Sequence, residues 1–149
     1  MPTHRETRVL PYTPDQVFDL VADVEKYPQF LPWCVACRIK NRETPTSFTA
    51  DLAVGFKMVR EKFTSRVSID RPGAITVEYL DGPFRYLRNH WKFRPAGANP
   101  AHTEVEFFLE FEFKSRLLQS LIGVLFEEAV HRMVGAFETR ADKLYRRVV

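Results

Sequence analysis

The sequence contains little cysteine, little glycine and no long apolar run. Two Cys in 149 residues are too few for a disulfide-stapled scaffold, and we expect both to be free thiols. Six Gly, with no Gly-rich loop, leave the chain without a phosphate-binding loop motif. The apolar run 121–126 is interrupted by Gly123 and is far shorter than the ~20 residues that a membrane-spanning helix needs. Because no charged segment followed by an apolar one opens the chain, we expect no signal or transit peptide and a cytoplasmic protein.

The sequence is rich in phenylalanine and otherwise has an ordinary globular composition. It is 45% apolar and 28% charged, and its length predicts a single domain over residues 1–149. Thirteen Phe stand against five Tyr and two Trp, so bulky side chains without a polar atom dominate the aromatic set. A net charge of +3 neither requires nor excludes a polyanionic partner.

The periodicity of apolar residues predicts an α+β fold. After a first strand, Thr13 and Pro14 are typical of a helix start, and a second short helical turn is predicted at 25–30. A period of two then predicts six strands up to Phe113, and Ser115 caps one long helix that extends to about Tyr145. We therefore expect a curved antiparallel sheet of about seven strands wrapped around a C-terminal helix. The gap between such a helix and sheet suits an apolar ligand.

The last two predicted strands carry opposite charges on their outward faces. Segment 84–94 is basic on that face, and segment 103–113 is acidic. A register that opposes these charges pairs Arg94 with Glu104, Lys92 with Glu106 and Arg88 with Glu110. We interpret the Glu residues as a solvated ladder, because acid-base catalysis needs carboxylates in a concave, desolvated place.

The segment Trp33-Cys34-Val35-Ala36-Cys37 resembles the motif of thiol–disulfide oxidoreductases. That chemistry requires a Cys at a helix N-terminus, whereas here a strand is predicted to follow Pro32. Positions three apart in a strand point to opposite faces, so we expect neither redox chemistry nor a shared metal ion at these thiols. The four His share no metal-ligand spacing, and no nucleophile motif is present. We therefore expect a protein without enzymatic activity and without a catalytic cofactor or metal.

A set of basic residues on the outward sheet face is a candidate surface for phosphate groups. Its members on the second predicted strand are Arg38, Lys40 and Arg42. The alternative interpretation is a solvated sheet face partly neutralised by the Glu strand, since no exposed aromatic triplet for stacking bases accompanies it. No DNA partner is expected.

Several segments resemble one known family. They are FDLVADVEKYPQFLPWC at 18–34, EKFTSRV at 61–67, GPF at 82–84 with WKF at 91–93, FFLEFEFKS at 107–115 and AFETRA at 136–141. These segments are similar, in order and over nearly the whole chain, to the coenzyme Q-binding branch of the START-like (polyketide cyclase/dehydrase) superfamily. The resemblance implies a helix-grip fold with a hydrophobic tunnel that binds ubiquinone or a related isoprenoid lipid in support of respiration. Bacterial members are also described as ribosome-association toxins that block the joining of ribosomal subunits.

Our first hypothesis from the sequence is a non-enzymatic carrier of a ubiquinone-like prenyl lipid, with peripheral contact to the inner membrane. The residues expected to line the tunnel or its mouth are Trp33, Phe56, Tyr79, Trp91, Phe107, Phe111, Leu121, Ile122 and Leu125. Arg85 and Asn89 are expected to point inward and meet a quinone head. The alternative is a regulator that binds a ribosomal subunit through Arg38, Lys40 and Arg42. A cyclase or hydrolase is a third class, because related folds host enzymes.

Overall fold

A computed structural model describes residues 3–56 and 59–146, without the side chains of Phe56, Val59 and Val124. The elements follow the predicted order, with two short helices after the first strand and one long helix at the end. They are β1 (Thr3–Leu10), α1 (Pro14–Ala22), a 3-10 helix (Val24–Gln29), β2 (Cys34–Thr44), β3 (Ser47–Phe56), β4 (Val59–Asp70), β5 (Ala74–Asp81), β6 (Phe84–Pro95), β7 (Thr103–Phe113) and α2 (Arg116–Leu144).

The seven strands form one antiparallel sheet in the order β1-β7-β6-β5-β4-β3-β2. The predicted pairing of β6 with β7 is confirmed, with Arg88 opposite Glu110 and Arg94 opposite Glu104. The ion pairs measure 2.6 Å between Arg88 and Glu110 and 2.5 Å between Arg94 and Glu104. The acidic residues of β7 are therefore a charge ladder on the outer face, and the α+β architecture predicted from periodicity is the observed one.

Both α-helices begin at the predicted caps. The hydroxyl of Thr13 accepts a hydrogen bond from the Gln16 N–H at 3.2 Å, and the Gln16 amide oxygen accepts one from the Thr13 N–H at 3.0 Å. This reciprocal pair is a capping box, which satisfies two N–H groups at the start of α1. At the start of α2, the Ser115 hydroxyl accepts from the Leu118 N–H at 3.3 Å.

The position of α2 leaves part of the sheet without a helix above it. The backbone of α2 approaches β7, β1 and α1 most closely. Its C-terminal half buries Val130, Val134 and Phe137, whereas Leu117 and Leu121 in its first half are 70% and 49% exposed. A helix that packs against one side of a curved sheet leaves a space over the strands on the other side, here β3 and β4, whereas α1 approaches β5 and β6. None of the helices among the described residues is long and apolar enough to cross a membrane.

Candidate functional site

The space between α2 and the sheet is a cavity of about 320 Å³. Inward side chains of β2 through β7 form one wall, because alternate residues of each strand point to the same face. The other wall comes from α2, and Val24, Tyr27 and the loop after the 3-10 helix close one side. Nearly all of the lining atoms are apolar, so the cavity suits a hydrophobic molecule.

Packed aromatic rings form the wall of the cavity on β6 and β7. The ring centroids of Trp91 and Phe107 are 4.6 Å apart, and Trp91 and Phe137 are 5.0 Å apart, both edge to face. Phe84 and Phe113 stack at 4.7 Å. Such contacts stabilise this arrangement of the rings, so the wall is held by its own aromatic packing.

Seven of the eleven side chains predicted to meet the ligand line this cavity. They are Trp33, Asn89, Trp91, Phe107, Phe111, Ile122 and Leu125. The structure thus brings them together around one space, and contact with a ligand stays a prediction. The side chain of Phe56 lies outside the described part of the chain.

The predicted inward direction of Arg85 is wrong. The pairing of β6 with β7 shifts between Phe84 and Tyr86, which is a β-bulge. A bulge adds one residue to one strand and reverses the alternation beyond it, so Phe84 is buried in the core and Arg85 is exposed.

Tyr79 and Leu121 also lie outside the cavity lining. The Tyr79 ring packs beside Phe84 with centroids 5.4 Å apart, and its hydroxyl accepts a hydrogen bond from the Phe84 N–H at 3.0 Å. Tyr79 lies directly opposite Ser65 on the inner face of the sheet and packs beside the wall without lining the cavity. Leu121 is exposed because Ile122 and Leu125, one and four positions further along α2, occupy the side of the helix that faces the cavity.

We interpret as the mouth of the cavity the end of the sheet where β3 ends and β2 and β4 begin, because the lining residues there are half-buried. Trp33, Gly55 and Glu61 line the cavity there. Trp33 has φ of 65°, in the left-handed region that side chains disfavour. Its carbonyl oxygen accepts a hydrogen bond from the Gly55 N–H at 2.8 Å, which ties the loop to β3. A strained residue held by its neighbours at a cavity mouth is typical of a functional position.

Cys34 and Cys37 both line the cavity, which corrects the prediction that they point to opposite faces. The register of β2 with β3 shifts between Cys34 and Ala36, so a bulge places Val35 and Ala36 outward together. Burial raises the pKa of Cys34 to about 11. Burial also raises the pKa of Cys37, to about 12, and the negative charge of a Cys34 thiolate is a further cause of that shift. Both thiols are free and stay protonated at neutral pH, where they are poor nucleophiles.

Few polar side chains line the cavity, and they include Glu61, Ser65 and Asn89. Of these three, only Asn89 was predicted from the sequence. The Asn89 amide nitrogen donates to the Phe108 carbonyl oxygen at 2.9 Å, which orients the amide. Tyr27 closes the inner side; its hydroxyl donates to the Val21 carbonyl oxygen, and burial raises its pKa. The alternation of β4 could have identified Ser65, because it lies between the inward residues Phe63 and Val67.

The three basic residues of β2 do not share a face, contrary to the prediction. Arg38 lies opposite Asp51, on the outer face. Arg42 lies opposite the buried Phe48, with its guanidinium 5.4 Å from the ring centroid, because a second register shift between Ile39 and Asn41 reverses the alternation. Lys40 lies 4.0 Å from Asp51. The outward basic set on β2 is therefore Arg38 and Lys40.

Comparisons with known proteins identify the family to which this chain belongs. The chain matches the model of the family "Polyketide cyclase / dehydrase and lipid transport" over residues 10–138. It is 39% identical to the ribosome association toxin RatA of Rickettsia prowazekii, over 98% of this chain and 100% of that protein. It is 35% identical to the mitochondrial coenzyme Q-binding protein COQ10 homolog B of Xenopus laevis, over 97% of this chain and 59% of that protein.

A solved structure with closer sequence similarity has the same fold. The solution structure of an 18 kDa protein from Caulobacter crescentus superimposes with a TM-score of 0.77 at 44% identity, covering 97% of this chain and 98% of that one. Together, the matched family model and the relatives assign this chain to the polyketide cyclase/dehydrase and lipid transport family.

Proposed function

We propose that the protein is a non-enzymatic carrier that binds ubiquinone or a similar prenyl lipid in the cavity and so supports respiratory electron transport. The observation that carries this proposal is the apolar cavity between α2 and the sheet. Burial of a prenyl group there would contribute about 25 cal/mol per Å² of apolar surface before the entropic cost of binding. The name of the COQ10 relative supports a quinone as the ligand.

The size of the cavity determines how much of such a lipid is enclosed. A volume of about 320 Å³ is at the lower end of the range for small-molecule sites. The cavity therefore suits a quinone head with the first part of its tail. The rest of a long tail would leave by the mouth beside Trp33.

Mass spectrometry of lipid extracted from the purified protein tests the proposal. We expect a prenyl quinone in the extract. Added short-tailed ubiquinone should quench the fluorescence of Trp91, whose ring is 5% exposed and lines the cavity. Because the chain has only two Trp, a Trp33→Phe variant makes Trp91 the single reporter. Repeated extracts without quinone, together with unchanged Trp91 fluorescence, would contradict the proposal.

A pair of matched variants on β3 shows whether the cavity is the binding site. Ala50 lines the cavity, whereas Ala53 lies outside its lining on the same strand. Ala50→Leu fills part of the space and should weaken ubiquinone binding, while Ala53→Leu should leave it unchanged. Equal binding by both variants would place the ligand elsewhere.

Exposed apolar residues on the part of α2 that lines the cavity support uptake of the lipid from a membrane surface. Leu117 and Leu121 are exposed on the first half of α2, beside the cations Lys114 and Arg116. Apolar side chains flanked by cations suit the interface of an anionic bilayer. Leu117→Asp with Leu121→Asp should abolish co-sedimentation with anionic lipid vesicles. Co-sedimentation at the wild-type level would contradict peripheral contact through this surface.

A second candidate function is association with a ribosomal subunit, which the name and the full-length coverage of the RatA relative favour. Arg38 and Lys40 on the outer face of β2 are the residues that would contact phosphates. Arg38→Glu with Lys40→Glu should remove co-sedimentation with ribosomal subunits, and the wild-type interaction should weaken steeply with salt. Ribosome binding that is insensitive to both changes would reject this surface.

A further inference from the structure

A buried hydroxyl in the cavity wall has no partner. Ser65 is 6% exposed, and its Oγ has no hydrogen-bond partner among the described residues. A buried polar group without a partner is rare in proteins, because an unsatisfied hydroxyl has lost its hydrogen bonds to water without replacing them. The position of Ser65 therefore requires an explanation.

The surroundings of Ser65 give the hydroxyl access to a ligand and to little else. Ser65 lies on β4 between Phe63 and Val67, and all three line the cavity. Its neighbours across the two strand pairs are Ala50 on β3 and Tyr79 on β5, and the Tyr79 hydroxyl already accepts a hydrogen bond from the Phe84 N–H. The Ser65 hydroxyl has no hydrogen bond to either neighbour, and its side chain lines the space that a ligand would occupy.

The other polar side chains at the cavity differ from Ser65. The Asn89 amide nitrogen already donates to the Phe108 carbonyl oxygen, and the Tyr27 hydroxyl already donates to the Val21 carbonyl oxygen. Both side chains have a structural role that accounts for their presence. Among the side chains that the structure describes, Ser65 alone combines near-complete burial with an unsatisfied polar atom at the cavity.

We propose that the Ser65 hydroxyl is the hydrogen-bond donor that holds a carbonyl or alkoxy oxygen of an otherwise apolar ligand, such as a ring oxygen of a quinone. The inference rests on the proposed lipid-binding function and adds the residue that selects an oxygen-bearing ring over a plain hydrocarbon. A serine hydroxyl can donate to an acceptor oxygen and loses this partner when the ligand is a hydrocarbon. The selectivity arises because the hydroxyl is already desolvated before the ligand enters.

The test compares two ligands on the full-length protein, a short-tailed ubiquinone and squalene, a prenyl hydrocarbon without oxygen. Ser65→Ala should weaken ubiquinone binding about fivefold, the effect of one neutral hydrogen bond, and leave squalene binding unchanged or tighter. Ser65→Cys, which keeps a side chain of similar size but is a weak donor, should behave like Ser65→Ala. Ser68→Ala is the matched control, because Ser68 is exposed on the same strand.

A second measurement uses the protein without ligand. Removal of an unsatisfied buried hydroxyl should raise the thermal midpoint of ligand-free Ser65→Ala above that of the wild type by about 4 °C. If Ser65→Ala and the wild type bind ubiquinone with equal affinity, as expected where cavity water satisfies the hydroxyl, the inference about Ser65 is overturned. The carrier function stands in that case, because the wild type still binds ubiquinone. Wild-type protein that binds neither ligand would overturn both.

Discussion

Cys34 and Cys37 lie on the same face of β2 although they are three positions apart, because the bulge at Val35 and Ala36 takes up the extra residue. Both thiols consequently form part of the cavity wall. The bulge thus converts a sequence that resembles a redox motif into two lining groups of an apolar cavity. Their raised pKa values, about 11 and about 12, agree with that setting.

We predict that both thiols react slowly with iodoacetamide at about pH 8, and more slowly still when ubiquinone is bound. The thiolate is the reactive form, and a pKa raised to about 11 at Cys34 and to about 12 at Cys37 leaves little of it at that pH. We expect labelling to be about 100-fold slower than in the urea-unfolded chain, as followed by mass spectrometry. Labelling as fast as in the unfolded chain would contradict the burial of the thiols.

The same pKa shifts predict a loss of stability at alkaline pH. Cys34 and Cys37 have pKa values in the folded protein above the ordinary 9.0, so the folded state holds these protons more tightly than the unfolded chain. Their contribution is complete below about pH 9 and is lost as the pH rises through the folded values. Tyr27, whose pKa burial also raises, acts in the same direction.

Urea unfolding at about pH 8 and about pH 10.5 measures this effect. The unfolding free energy of the wild type should be lower at the higher pH. In the double variant Cys34→Ala with Cys37→Ala, the unfolding free energy should decrease less. Each variant is compared with itself across pH, so the loss of packing in the variant cancels. An identical fall in both proteins would assign the alkaline effect to groups other than the thiols.

The sequence predicted which residues lie inward wherever a strand is regular. The apolar positions Trp91, Phe107 and Phe111 follow strict alternation along β6 and β7, and all three line the cavity. Likewise, the opposed charges of Arg94 and Glu104 were sufficient to predict the register of these strands. Alternation and cross-strand charge are local properties that a sequence displays directly.

The predictions failed where a bulge interrupts a strand. Register shifts at Arg85 and before Arg42 reverse the expected faces of these two residues, and a third shift brings Cys34 onto the same face as Cys37. A bulge depends on the backbone conformation of one residue and on the curvature of the whole sheet. No Gly lies within any of these three register shifts, so the sequence did not indicate a bulge there. The cavity volume depends on where α2 packs, which is a tertiary property that helix periodicity does not contain.

Gly82, in the turn between β5 and β6, should tolerate no side chain. Its φ is +145°, and an added Cβ would lie 2.5 Å from the Phe63 Cβ and 3.0 Å from the Lys62 carbonyl oxygen. Because both the backbone conformation and the contact with β4 oppose a side chain, Gly82→Ala should lower the unfolding free energy by about 2–4 kcal/mol.

Gly97→Ala is the matched control for that measurement, since an added Cβ at Gly97 has no neighbour within 4 Å among the described residues. Chemical denaturation should show a change within about 0.5 kcal/mol for this variant. A Gly82→Ala variant as stable as Gly97→Ala would mean that the turn adopts another conformation.

Trp33 combines a strained backbone with a ring at the cavity mouth, and two substitutions separate these properties. Trp33→Gly and Trp33→Ala both remove the ring, so both should weaken ubiquinone binding to a similar extent. Only Gly adopts the observed φ of 65° without a steric cost, and Trp33→Gly should therefore be more stable than Trp33→Ala by about 1 kcal/mol. The hydrogen bond from the Gly55 N–H to the residue 33 carbonyl oxygen should persist in both.

Urea denaturation and quinone quenching of Trp91 fluorescence, measured on the same two proteins, test this prediction. Equal stability of the two variants would show that the loop relaxes out of the left-handed conformation once the ring is gone. Wild-type affinity in both would show that the Trp33 ring does not contact the ligand. A difference in stability with an equal loss of affinity would show that residue 33 keeps the left-handed conformation and that the ring contacts the ligand.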